Sequence, residues 1–146
     1  MSQLIAHLIG DYCIQNHWMA NNKTKAWVPA IVHALLYSIP FLFLVSNAQQ
    51  WVLIVTTHLL IDRFRLATYW VEFWGVGTEG SLTKYIMHKR GYTRTANSDK
   101  ESMWISGDEA RPRTPDAPPF LKVWLLIIVD NTWHLAINYA VLTWMA

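Results

Sequence analysis

Cysteine is all but missing. A single Cys13 in 146 residues leaves no partner for an intramolecular disulfide and no thiolate set for a cysteine-rich zinc site. Charge is scarce too: 15% of the residues are Asp, Glu, Lys or Arg, against about a quarter in an average soluble chain. The stretch Trp27–Gln50 carries none at all. The net charge of +2 is too small to argue for a nucleic-acid partner, and no basic stripe with interleaved aromatics lies outside one loop. The N-terminus lacks a positive n-region and its apolar run is interrupted by His7 and Asp11, so it does not read as a cleaved signal peptide. No Gly-x-x-x-Gly pattern falls within an apolar segment, so a homo-oligomer is allowed but not argued for.

What is present is apolar and unevenly spread. Hydrophobic residues make up 53% of the chain, while Gly77–Pro118 gathers seven of its twelve basic and six of its ten acidic residues. This segregation predicts an all-α polytopic membrane protein, one membrane domain over residues 1–146. It is a bundle of four transmembrane helices with a long polar loop between helices three and four. The expected spans are Leu4–Met19, Trp27–Val45, Trp51–Leu66 with an aromatic interfacial continuation over Ala67–Val76, and Phe120–Met145. Pro29 falls in a first turn, where a missing N–H costs nothing, and Pro40 should kink its helix. With four spans every Lys and Arg falls toward one face. The positive-inside rule then predicts a bacterial inner membrane protein with cytoplasmic basic loops and both termini outside. Within the loop 77–118, Ser81 should cap a helix Leu82–Arg90 stopped by Gly91, with Thr93–Arg113 polar and mobile. His88-Lys89-Arg90 reads as a solvated cluster before a lipid-headgroup contact.

Three carboxylates lie inside the expected spans, Asp11, Asp62 and Asp130, and each has a histidine four positions away: His7, His58 and His134. One residue meets a histidine at that spacing with roughly 8% probability, so three of three is about one in two thousand by such counting. Residues i and i+4 share a helix face. Two pairs read His-x-x-x-Asp and the third, on a helix running the other way, reads Asp-x-x-x-His. The histidines should therefore share one level, with the carboxylates one turn of about 5.4 Å deeper. Gln15 and Asn138 extend two of these faces, Arg65 lies seven beyond His58, and His33 with Tyr37 should look toward the carboxylate level.

Mixed imidazole and carboxylate ligands suit a divalent ion, Zn first, with Mn or Fe as alternatives. A metal can activate water and polarise an ester or phosphoryl oxygen. A proton or ion relay and a purely structural hydrogen-bonded cluster are the competing readings. Three intramembrane carboxylates, at roughly 2.5–3.5 kcal/mol each, weigh against structure alone. His7, Asp11, His58, Asp62, Asp130 and His134 are the candidate ligands, with Asp11, Asp62 or Asp130 serving as general base. Gln15, Lys25, His33, Arg65 and Asn138 are candidates for substrate or outer-shell contact. Lys23 and Lys25 read first as topology determinants. His17, His88 and Cys13 read as bystanders.

The run Leu4-Ile-Ala-His-Leu-Ile-Gly-Asp-Tyr-Cys-Ile-Gln15, followed by Trp18-Met-Ala20 and Lys23 or Lys25, resembles the N-terminal signature of a bacterial and phage membrane family, domain of unknown function 3307. His33, His58-Leu-Leu-Ile-Asp62 and Asp130-Asn-Thr-Trp-His134 resemble its later motifs in order, so the likeness covers nearly the whole chain except Gly77–Pro118. Arg65 stands where a lysine is expected and Asn131 where a glutamine is. The family is in turn similar to membrane metal-dependent hydrolases with His-x-x-x-Asp pairs. That implies, by analogy, hydrolysis of a lipid or lipid-linked phosphate by a protein in contact with membrane lipids. The alternatives are a non-enzymatic, phage-encoded module that binds or blocks a host membrane protein, and a proton or ion carrier.

Overall fold

A computed structural model describes residues 2–75, 80–96, 102–106, 109–112 and 118–144. The chain opens with α1 (Ser2–Leu8), which widens without a break into a π-helical turn (Ile9–Ile14). Such turns insert one extra residue per winding and often mark functional positions. Gly10 permits this one: a Cβ there would come within 2.6 Å of the Tyr37 ring and 2.7 Å of its carbonyl oxygen, so the π turn can seat against the next long helix. Asn16 then caps α2 (His17–Asn22), its side-chain oxygen accepting the Met19 N–H at 3.0 Å.

Helix α3 (Trp27–Ser38) carries Pro29 in its first turn and tightens into a 3-10 segment (Ile39–Phe43) led by Pro40. The proline expected to kink a long helix ends the α-helix instead, because its ring excludes the next i→i−4 bond. Asn47 caps α4 (Ala48–Phe64) by accepting the Gln50 N–H at 2.9 Å. Arg65 stops that helix in a left-handed conformation, φ 51°, before α5 (Leu66–Trp74) begins.

Two compact units result, Met1–Ala67 with Val129–Ala146, and Thr68–Ile128. The core of the first is Ala6, Tyr37, Phe41, Ile54 and Val141. Its last element is the C-terminal part of α7 (Pro119–Trp144), tied to α4 where the Gln50 amide donates to the Val141 carbonyl at 3.4 Å. The second unit holds α6 (Ser81–Lys89) and an antiparallel sheet in the order β1 (Thr93–Ala96), β2 (Ser102–Ser106), β3 (Glu109–Pro112). Thr93 pairs with Ile105 and Ile105 with Ala110.

The all-α bundle of four transmembrane helices is therefore not what forms. Among the described residues one helix, Pro119–Trp144, is long and apolar enough to cross a membrane. The expected first span is divided between α1, the π turn and α2, the second ends as a 3-10 segment, and α4 runs only 17 residues. Each break has a local cause: Gly10 and the π turn, Pro40, and the left-handed Arg65. The segment expected to be a polar, mobile loop contains the sheet. The expected helix there does form, but Gly80 occupies its cap position and Ser81 is already helical, its hydroxyl donating to the Glu72 carbonyl instead. Gly91, with φ 82°, follows that helix as anticipated.

Candidate metal centre

Histidines dominate the interior of the first unit. His7, His33, His58 and His134 are each at most 1% exposed, and Asp11 and Asp62 are 8% and 7% exposed. They come from four places: α1 and its π turn, α3, α4 and α7. The i,i+4 spacing brings His58 and Asp62 onto one face of α4, and His134 and Asp130 onto one face of α7.

Four side-chain atoms meet at one point. His33 Nε2 lies 3.2 Å from Asp11 Oδ1, 3.1 Å from Asp62 Oδ2 and 3.0 Å from His58 Nε2. His58 Nε2 lies 3.5 Å from Asp11 Oδ1 and 3.3 Å from Asp62 Oδ2. A tetrahedral ion with bonds of about 2.0–2.2 Å spaces its ligands about 3.3–3.6 Å apart. Five of the six edges of such a tetrahedron are thus present at 3.0–3.5 Å. Asp11 Oδ1 is buried with no aligned hydrogen bond, an inward anionic lone pair that is costly unless a cation completes the site. Asp62 Oδ2, also buried, has the Lys23 ammonium 2.6 Å away. The residues present fit a divalent metal.

A second set adjoins the first through Asp62. Its Oδ1 lies 3.3 Å from His134 Nε2, which in turn lies 3.7 Å from Asp130 Oδ2. Asp130 is the least buried of the group, its side chain 33% exposed. Behind the rings, His58 Nδ1 and His134 Nδ1 face each other at 3.2 Å, and Tyr37 stacks on His58 with centroids 3.5 Å apart.

His7 is buried beside the cluster but offers no atom to either set. Its Nε2 donates to Asn131 Oδ1 at 2.7 Å and its Nδ1 faces the Tyr37 hydroxyl at 3.0 Å. Asn138 donates to that hydroxyl at 2.7 Å. His7 is the expected ligand that the structure instead uses to hold Tyr37, with Asp11 Oδ2 3.5 Å away. His33 enters from α3 between Asp11 and Asp62, at the carboxylate level toward which it was expected to look.

Charges follow from this packing. Burial works against an ionised Asp62, yet His58, His134 and His33 outweigh it and hold the carboxyl well below the usual range. Asp11 is lowered in the same way, burial being overcome by His33 and His58. Burial pushes His58 down to about 4. His33 is raised, because Asp11 and Asp62 outweigh its burial. Burial lowers His7 and raises Tyr37.

A cation that the sequence placed elsewhere completes the group. Lys23 Nζ stands 2.6 Å from Asp62 Oδ2 and 3.2 Å from His33 Nε2. It is held there by Arg63, whose guanidinium donates to the carbonyls of Thr24 and Lys25 and lies 5.1 Å over the Trp27 ring. Lys25, the lysine expected to reach substrate, is exposed, and only its backbone carbonyl meets Arg63. Arg65 is exposed at the end of α4, and Gln15, with a buried but unpartnered Oε1, stands outside the cluster. Asn131 is the other contributor that spacing alone did not single out as a site residue.

Fold and site together define a helical protein with a buried histidine–aspartate centre able to hold a metal ion. The chain belongs to the family described as "Protein of unknown function (DUF3307)", whose model matches residues 1–92. That match contains Asp11, His33, His58 and Asp62 and ends before Asp130 and His134, short of the nearly chain-long likeness expected. No curated protein and no solved structure matches, and the likeness to metal-dependent hydrolases finds no counterpart in these comparisons.

Proposed function

We propose that the protein is a divalent-metal-dependent hydrolase acting on a lipid or lipid-linked phosphate at the bacterial inner membrane, with zinc as the preferred ion. One observation carries the reading: His33 Nε2, His58 Nε2, Asp11 Oδ1 and Asp62 Oδ2 close to tetrahedral ligand spacing, with Asp11 Oδ1 buried and without an aligned hydrogen bond. A bound ion would supply Lewis acidity and, by expanding beyond its four protein ligands, a water ionisable near neutral pH. The chain's own residues do the rest. Asp62 and Asp11 balance the charge, and His134 and His7 lie against their second oxygens, Oδ1 and Oδ2 respectively. Lys23, 17% exposed, is the cation nearest the centre and suits an anionic phosphoryl group arriving there.

The apolar part of the substrate class rests on the surface around the centre. Leu4, Ile5, Leu8 and Tyr12 are 43–54% exposed along α1 and the π turn, and α7 is long and apolar enough to anchor the chain in a bilayer.

The test starts with protein purified without chelator. Zinc, manganese or iron at stoichiometric level is expected, together with phosphate release from a lipid-linked phosphate that ceases on chelation and returns on adding metal. Protein that neither contains nor takes up a divalent ion at micromolar concentration rules the reading out. Stoichiometric metal without turnover of any phosphate ester would leave a metal-holding module and refute the hydrolase.

A further inference from the structure

The two oxygens of Asp62 serve different neighbours. Oδ2 is one corner of the four-atom set with Asp11, His33 and His58, whereas Oδ1 turns away to His134 Nε2 at 3.3 Å. His134 Nε2 is also 3.7 Å from Asp130 Oδ2, and Asp62, Asp130 and His134 offer ligand atoms that all lie within 4.8 Å of one another. A carboxylate that presents one oxygen to each of two ligand groups is the usual geometry of a bridge between two ions about 3.5–4 Å apart.

The two groups also differ in completeness. The first has four protein ligands, all buried, as in closed sites. The second has three, one of them a third exposed, as in sites that keep a position for water or substrate. Asp62 is 7% exposed and His134 1% exposed, so only the Asp130 side of the second group is open.

We propose that the cluster is a two-ion centre bridged by Asp62, with a closed ion held by Asp11, His33, His58 and Asp62 Oδ2 and an open ion held by Asp62 Oδ1, Asp130 and His134. This inference rests on the metal-centre reading above and assigns the open, second position as the one that receives an anionic oxygen of the substrate. The closed position fills first. It has one more protein ligand, and His33, His58, Asp11 and Asp62 are all buried, whereas Asp130 is a third exposed.

The full-length protein is stripped with chelator, dialysed and reloaded with Mn(II), then measured by elemental analysis and electron paramagnetic resonance. Two manganese ions per chain are expected, the second bound at least tenfold more weakly, with the spectrum of an exchange-coupled pair at saturation. Asp130→Asn, at a partly exposed helical position, should drop the count to one and remove the coupling while circular dichroism stays unchanged. His134→Gln should do the same, so the proposal does not hang on one variant's folding. One ion in the wild type that Asp130→Asn leaves in place overturns the second site and leaves the single-metal reading standing. Two ions without exchange coupling overturn the Asp62 bridge. No bound ion at all removes this proposal and the metal-centre reading together.

Discussion

Asp62 is the residue on which the site turns, because each of its oxygens answers to a different set of neighbours. Asp62→Asn keeps the shape and removes the charge, and divalent-metal affinity should fall more than about 100-fold, beyond the 10–100-fold typical of outer-shell partners. Titration against a calibrated fluorescent chelator measures it, and an unchanged Kd would refute the assignment. Lys23 works in the opposite sense. Its ammonium already sits on Asp62 Oδ2, where it competes with any arriving cation. Lys23→Gln should therefore tighten metal binding by about tenfold, a change of about 1.4 kcal/mol, in the same titration. Weaker binding would show that the lysine helps to build the cage.

Protonation at these residues gives a signed pH dependence for the metal-free protein. His58, held down at about 4 against 6.5 for an ordinary histidine, takes up its proton only on unfolding. Stability then falls as pH drops from 6.5 toward 4, since the unfolded chain binds more protons. Asp11 and Asp62 reinforce this: their lowered values add stability above 3.8, lost as pH falls through their native values. His33 is raised, so its contribution is full below 6.5 and is lost as pH rises through its native value. Calorimetry from pH 4 to 9 should find the highest Tm near pH 6.5. A Tm that climbs steadily from 6.5 to 9 would contradict the assignment for His33.

At the scale of the element, the π turn shows what a small residue permits. Gly10→Ala would drive a methyl into Tyr37, whose ring and carbonyl lie 2.6 and 2.7 Å from the added carbon. Overpacking of this kind costs about 1–3 kcal/mol. Because Asp11 follows directly, metal affinity should fall along with Tm, and a loss of Tm alone would separate packing from the site.

The same elements explain what could be read from the sequence. The His–Asp pairs were legible because helix periodicity converts a spacing of four into a shared face, and His33 with Tyr37 followed from the same rule. Lys23 was not, because its position depends on Arg63 clamping the Thr24 and Lys25 carbonyls, a contact between residues 38 and 39 positions apart. The role of His7 was hidden for a similar reason, since Asn131 stands 124 residues away. Helix breaks were misread wherever backbone geometry overrode hydropathy, at Gly10, Pro40 and Arg65. The sheet escaped notice because Thr93–Pro112 mixes charges and short strands, which composition alone assigns to a loop.

For the molecule as a whole, the metal should act as a fold stabiliser. A ligand that binds only the native state at 100 times its Kd adds about 2.7 kcal/mol, so saturating metal should raise Tm by several degrees, and a chelator should reverse this. The exterior makes a separate demand. Phe43 is 90% and Trp144 84% exposed, and large apolar side chains are exposed along α1, α3, α5 and α7. The full chain should partition into the detergent phase on cloud-point separation. Recovery in the aqueous phase as a monodisperse monomer would remove the support for a lipid-facing substrate.

The face-to-face stack of Tyr37 on His58, at 3.5 Å and 10° between planes, has a practical consequence. The phenol's ring current falls directly on the imidazole protons, so the His58 resonances should stand apart from those of the other five histidines in a proton spectrum. Any event that turns the imidazole, whether an ion arriving or leaving, would move those lines. The molecule thus carries its own spectroscopic indicator of occupancy, readable without a label.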